Sequence, residues 1–249
     1  MRRNRPTQLA LLTALIVAIG AAAFSSPASG APTITGQNVN RTAKALVLSG
    51  LVRAEIVTLS AGRVNDYRIY RGVVQNMRGR MVTLAERDGS TTQVRLSPVT
   101  QIAIDGRRRP ATRVRRGMRA TVMRNGSADA SWLYLANRSP DESGATIRSL
   151  LSTGFVRAEV VSQSGGELLD RRVDTGVIES VDSASLALYE SDGTTVQLQI
   201  DGSTQVQINN QAADVTELAV GMRTTTVCSG EGTIGQIWAL GRKPGGRRK

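Results

Sequence analysis

The 249-residue chain has no histidine, one cysteine, lysine only at positions 44, 243 and 249, and 3 % aromatic residues. Each scarcity removes a class of chemistry. Without imidazole there is no Ser-His-Asp or Cys-His nucleophile, no histidine general base and no histidine-ligated zinc or haem. A lone thiol, Cys228, makes neither an internal disulfide nor a thiolate cluster, and its expected place is a small buried group near a strand end. A Ser-Lys dyad would have to use Lys44 or the basic tail, and no serine motif accompanies either. No phosphate-cradling glycine loop occurs, since Gly230-Glu231-Gly232 reads as a turn. Asp182, Asp192 and Asp201 fall near turns at a spacing that matches no calcium-wrapping loop. These exclusions lead us to expect a protein that is not an enzyme and has neither cofactor nor metal.

Long apolar runs are scarce too, with one exception. Leu9 to Phe24 is almost unbroken, follows Arg2, Arg3 and Arg5, and precedes the small residues Ala28-Ser29-Gly30. This is the pattern of a secretory signal over residues 1–30. The run falls short of the roughly 20 residues that span a bilayer, which disfavours the alternative of an uncleaved anchor. Asn4-Arg5-Pro6 does not suit a twin-arginine signal, and no cysteine follows the run to carry a lipid. The expected location is extracytoplasmic, secreted or in the cell envelope, with no transmembrane helix in the mature chain.

What the sequence does contain is a repeat. Residues 42–138 align with 146–242 at a constant offset of 104 without a gap, at roughly 30 % identity over about 95 positions. Gly50-Leu51-Val52-Arg53-Ala54-Glu55 falls on Gly154-Phe155-Val156-Arg157-Ala158-Glu159, and Gly117-Met118-Arg119 falls on Gly221-Met222-Arg223. The implied organisation is a signal at 1–30, a linker at 31–41, a first repeat at 42–138, a polar linker at 139–145, a second repeat at 146–242 and a basic tail at 243–249.

Each repeat reads as short strands. Val196, Leu198 and Ile200 alternate with glutamines, as do Val206 and Ile208, and the first repeat places Val94, Leu96, Ile102 and Ile104 at matching positions. Asp88-Gly89, Asp192-Gly193, Asn125-Gly126 and Ser229-Gly230 mark hairpin turns. One helical turn fits before Gly117 and before Gly221, and residues 42–49 and 146–153 each suit a short helix or a strand. The expected fold is mainly all-β: two tandem homologous small β-barrel or OB-like domains, each with a one-turn helix. The stretch Gly72-Val73-Val74, Val82-Thr83-Leu84, Asp88-Gly89, Val94-Arg95-Leu96, Thr100-Gln101-Ile102 and Gly117-Met118-Arg119, with its copy from Gly176 to Arg223, resembles a bacterial family of exported small β-barrel domains catalogued as a domain of unknown function. That resemblance covers about 65 residues of each copy, leaves the Val-Arg-Ala-Glu segments as an extension, and implies a fold without implying any catalytic residue, substrate or cofactor.

Charge divides the copies. Residues 31–138 hold 19 basic and 6 acidic side chains, whereas 139–241 hold 5 basic and 14 acidic. The densest run supplies Arg107, Arg108, Arg109, Arg113, Arg115 and Arg116, and positions 211–220 of the second copy hold no basic residue. Three readings compete: a solvated loop, an anion-binding surface, and docking of the basic copy on the acidic one, within a chain or head to tail between chains. Candidate partners for the surface are an anionic envelope polymer, a lipid head group or another protein. Nucleic acid is disfavoured because only Tyr67, Tyr70, Trp132 and Tyr134 could stack bases in the first copy. The charges shared by both copies, Arg53, Glu55, Asp66, Arg68, Glu86, Asp88 and Arg119 with Arg157, Glu159, Asp170, Arg172, Glu190, Asp192 and Arg223, read as structural, with Arg53, Glu55, Arg68, Arg119 and their counterparts Arg157, Glu159, Arg172 and Arg223 in ion pairs and each of Glu55 and Glu159 held by a strand neighbour or a cross-strand Arg. The functional alternative, a glycosidase-type carboxylate pair, needs a cleft that nothing in the sequence indicates. The function expected is therefore an exported, non-enzymatic binding or structural protein, the alternatives being an extracellular enzyme or a protein that self-assembles through basic-to-acidic docking.

Overall fold

The structure is a computed structural model describing residue 48 and residues 50–137, 143–152, 154–230 and 232–241. The signal, the N-terminal linker and the basic tail lie outside the described residues. In chain order the strands of the first half are β1 (Leu51–Ser60), β2 (Arg63–Arg78), β3 (Met81–Glu86), β4 (Thr91–Ile104), β5 (Arg107–Arg108), β6 (Arg119–Asn125) and β7 (Ala130–Ala136). Helix α1 (Ser143–Leu150) follows, and then β8 (Phe155–Ser164), β9 (Glu167–Val181), β10 (Ser185–Glu190), β11 (Thr195–Gln199), β12 (Gln205–Ile208), β13 (Gln211–Ala213), β14 (Arg223–Ser229) and β15 (Thr233–Leu240). The fold is mainly β, and each Gly-containing turn named above joins two strands.

Strand pairing recurs at the offset read from the sequence. Arg53 faces Tyr70 as Arg157 faces Asp174, Tyr67 faces Asn125 as Arg171 faces Ser229, and Leu84 faces Thr92 as Leu188 faces Val196. In the first half β2, β3, β4, β7 and β6 pair successively and β6 returns to β2, closing a ring whose single parallel contact is β4 to β7. In the second half β9, β10, β11, β15 and β14 do the same, with β12 continuing the parallel contact to β15. The alternating apolar residues point into the rings. Val82, Leu84, Val94, Leu96, Val122 and Leu133 fill the first, and Leu186, Leu188, Leu198, Ile208, Ile234 and Ile237 fill the second. Burying each such side chain contributes roughly 1.5–3 kcal/mol.

A long strand shared between neighbours shapes each ring. The first part of β2 pairs with β1 and its last part with β3, so the strand turns where the partner changes. Gly72 sits at that point because a Cβ there would lie 2.3 Å from the carbonyl oxygen of Ala85, and Gly176 repeats the approach at 2.6 Å from Tyr189.

The two halves join through the Val-Arg-Ala-Glu segments. Strand β1 runs antiparallel to β8 with Glu55 opposite Glu159, Arg53 opposite Val161 and Val57 opposite Arg157. Since Glu55 and Glu159 are equivalent in the repeat, the ladder is isologous, as at a two-fold interface, though both strands belong to one chain. Its ends are sealed by Leu59 N–H donating to Gly154 O at 2.7 Å and Gln163 N–H donating to Gly50 O at 2.8 Å. Below the ladder Leu51, Ala54, Ile56, Ala158 and Val160 share a cluster with Ile147 and Leu151. The join is thus a strand ladder over an apolar core. Helix α1 also differs from the expected 146–153: it starts at Ser143, inside the segment assigned to a linker, because the Ser143 hydroxyl is buried against Thr121 and Arg71 of the first ring.

Candidate functional site

The arginine run is built on a compact local frame. Asp105 (φ 46°) and Gly106 (φ 74°) form a two-residue turn of the mirror-image type that suits hairpins, and β5 folds back on β4 with Ala103 opposite Arg108 and Ile104 opposite Arg107. Arg109 N–H donates to Ile102 O at 2.9 Å, and a 3-10 turn at Ala111–Arg113 follows Pro110. Val114, buried in the ring core, pins the segment, and Gly117 N–H returns to Val74 O at 2.8 Å. All six guanidinium-bearing residues are exposed. Arg115 curls back to donate to the carbonyl oxygens of Thr112 and Val114. Among the described residues none of the six has a carboxylate within ion-pair distance.

The second half repeats this frame with other side chains. Asn209 (φ 51°) and Asn210 (φ 70°) make the turn, β13 pairs with β12, a 3-10 turn spans Val215–Glu217, and Leu218 is buried where Val114 is. Here a capping box holds the turn, with Thr216 N–H donating to Asp214 and Asp214 N–H donating to the Glu217 carboxylate. The same backbone is therefore made without one arginine. Neither the Asp105-Gly106 turn that presents Arg107 nor the short strand after it was expected, although Asp-Gly is a dipeptide that favours such turns.

The shared charges form two equivalent sets. Arg53 donates to Glu86 at 3.3 Å and to Asp88, and Arg157 donates to Glu190 at 2.6 Å and Asp192 at 2.8 Å. Arg53 and Arg157 thus reach the end of the β3 or β10 strand rather than their own-strand neighbours Glu55 and Glu159. Glu55 is held by its cross-strand partner Arg68 at 3.2 Å. Glu159 is not, because Arg172 turns to the buried Asp174 at 2.8 Å, a carboxylate where the first half has Tyr70. Arg53, Glu55, Arg68 and Glu159 line one shallow depression over the junction. Arg119 and Arg223 are exposed and lie apart from it, and Arg223 has no ion-pair partner among the described residues.

One substitution between the sets changes their electrostatics. In the first half the Thr92 hydroxyl donates to the second carboxylate oxygen of Glu86. At the matching position stands Val196, and Glu190 Oε1 is buried without a hydrogen-bond partner. Burial, only partly offset by Arg157 and reinforced by the charges of Asp174 and Asp192, pushes the Glu190 carboxyl up to about 7. Burial likewise raises Asp174 against its bond to Arg172, and burial followed by the Asp66 charge raises Glu55, with Glu159 adding to it.

The remaining candidates resolve locally. Asp182, Asp192 and Asp201 each accept backbone N–H groups of their own turns, from Ala184, Thr194 and Ser203, which lowers all three carboxyls and explains their recurrence at turns. Among the described residues no three Asp, Glu or Cys side chains converge as a metal site, and no helix is long and apolar enough to cross a membrane. Trp132 and Tyr134 stack on each other at 5.6 Å, Tyr70 lies under Arg124, and Cys228 is fully buried, its thiol pushed up to about 11 by burial. Comparison with protein-family models, with curated proteins and with solved structures finds no match to this chain.

Proposed function

We propose that this chain is an exported, non-enzymatic binding or structural protein of the cell envelope, and that residues 107–116 hold an anionic polymer or head group. The observation that carries this reading is the paired frame: β13 and its 3-10 turn are made with Gln211, Ala212, Ala213 and Glu217 where β5 and its turn carry Arg107, Arg108, Arg109 and Arg113. The arginines are not what the fold requires there. Six exposed cations fall within ten residues, so their fields add toward an extended anion. The cationic start and apolar run of residues 1–30 support export. We further read the halves as tandem copies of one OB-like barrel of the exported family that the sequence resembles. A five-strand ring ordered first, second, third, fifth, fourth supports that reading.

The test is elution from a heparin column of the parent and of a variant carrying Arg107→Ser, Arg108→Ser and Arg109→Ser. The variant should keep its melting temperature, elute at lower salt, and lose about one unit of salt slope per arginine. Equal elution refutes the surface. Sedimentation at low salt separates the self-assembly alternative, which requires oligomers that dissolve as salt rises.

A further inference from the structure

We propose that the outer face of the second ring binds a single-chain monocarboxylate, an apolar tail ending in one carboxylate head. Ile178, Met222 and Ala239 point into the ring core, so their neighbours on β9, β14 and β15 point outward. There the three strands set two rows across the sheet. Thr225 lies opposite both Thr175 and Trp238, and Arg223 lies opposite both Val177 and Leu240. The threonines are short beside the groups around them, and all six residues line one open cavity of about 650 Å³. Pockets of roughly 300–1,000 Å³ with mostly apolar walls and a few polar groups are of the size that holds a small organic ligand.

The fold does not require this cavity, because the first ring blocks the same face. At the position of Thr175 it carries Arg71, which donates to Thr121 at 3.3 Å and to Ser143 of α1 at 3.0 Å, and Tyr134 meets Thr146 of α1 at 2.8 Å. Thr175 instead turns its hydroxyl aside to donate to Val156 O at 2.6 Å. The residues around it change in the opposite sense. Leu51, Ala85, Tyr134 and Ala136 of the first copy become Phe155, Tyr189, Trp238 and Leu240, and all four larger side chains line the cavity. The second copy thus lacks the arginine that bars the face and has broader apolar walls, the combination that an apolar tail needs.

The polar end follows from the two charged residues in the lining. Glu190 is wholly buried and accepts from Arg157 at 2.6 Å, whereas Arg223 is exposed and has no ion-pair partner among the described residues. The charge an occupant meets is therefore the guanidinium, whose fork takes one carboxylate bidentately. The head sits at Arg223, between Val177 and Leu240, and the tail runs over the threonine row toward Trp238 and Phe155.

Dodecanoate, kept below its micelle concentration, is the probe. In a Trp132→Phe background of the full chain Trp238 is the sole indole, and its emission should change saturably as dodecanoate is added at pH 8. Arg223→Ser, at an exposed position, should weaken dodecanoate at least about tenfold and leave the uncharged dodecanol unchanged. Thr175→Arg, which restores the side chain of the first copy, should abolish the response to both. Arg107→Ser, Arg108→Ser and Arg109→Ser together should leave the titration as it was, which separates this site from the arginine surface. The proposal is overturned by the absence of a saturable response, by an Arg223→Ser effect equal for acid and alcohol, or by loss of binding in the triple variant.

Discussion

Replacing Val196 by threonine should stabilise the protein at alkaline pH and not at acidic pH. Val196 faces Leu188 as Thr92 faces Leu84, and only Thr92 supplies a hydroxyl to the buried glutamate beyond. A hydrogen bond to an ionised acceptor contributes about 1.5–3 kcal/mol. Exchanging a half-buried methyl for hydroxyl costs about 1 kcal/mol. The net gain is therefore about 0.5–2 kcal/mol when Glu190 is charged. For a unit of this size that is a rise of about 1–8 °C in melting temperature. The sign with pH follows from linkage. The folded Glu190 carboxyl is raised from 4.5 to about 7, so its stabilising contribution is full below 4.5 and is lost as pH climbs through 7. Threonine favours the charged form and shrinks that loss. Thermal unfolding followed by circular dichroism at pH 5 and pH 8 should show the gain at pH 8 only, and Glu190→Gln should abolish the difference. A Val196→Thr change of equal size at both pH values, or one that persists with Glu190→Gln, refutes the reasoning.

Three further outcomes are expected. Gly154→Ala places a Cβ 1.8 Å from Leu59 O at positive φ, and should cost more than about 3 kcal/mol. Gly62→Ala, at φ 73° with open space, should cost only about 1 kcal/mol; equal denaturant midpoints would show that the junction does not depend on this approach. Glu159→Gln removes one of two like charges that face each other across the β1–β8 ladder, and should raise the melting temperature by about 1–3 °C at low salt, an effect that 1 M salt erases. Cys228, fully buried with a raised thiol, should resist a thiol reagent in the native state and react at the rate of unfolding, so rapid native labelling would contradict its placement.

Much of the fold was legible. The offset of 104, the hairpin turns and the alternating valines and leucines each express a local rule, either a turn residue with positive φ or a period of two, and the ladders repeat accordingly. The candidate arginines stood out for the same reason, as a run in one copy and not the other. The partners of the shared charges were not legible. Arg53 and Glu55 are two apart on one strand face, yet Arg53 is drawn 33 residues along the chain to Glu86, since a buried carboxylate needs a cation more than an exposed one does. Nor could Glu159 be seen to lose its arginine, because that depends on Asp174 replacing Tyr70 at a site which only β9 brings alongside β8.

By itself, then, the sequence determined the mainly β class, the turns and the separation of charge between the halves, because these arise from neighbours along the chain. Tertiary structure alone decided that the Val-Arg-Ala-Glu segments pair with each other across the repeat, with Glu55 opposite Glu159. It also decided that α1 covers the ring before it and that Val196 leaves a buried carboxylate oxygen unpartnered. Each of these joins residues distant in sequence, and the energies that matter, desolvation and close packing, exist only once strands from both halves are assembled.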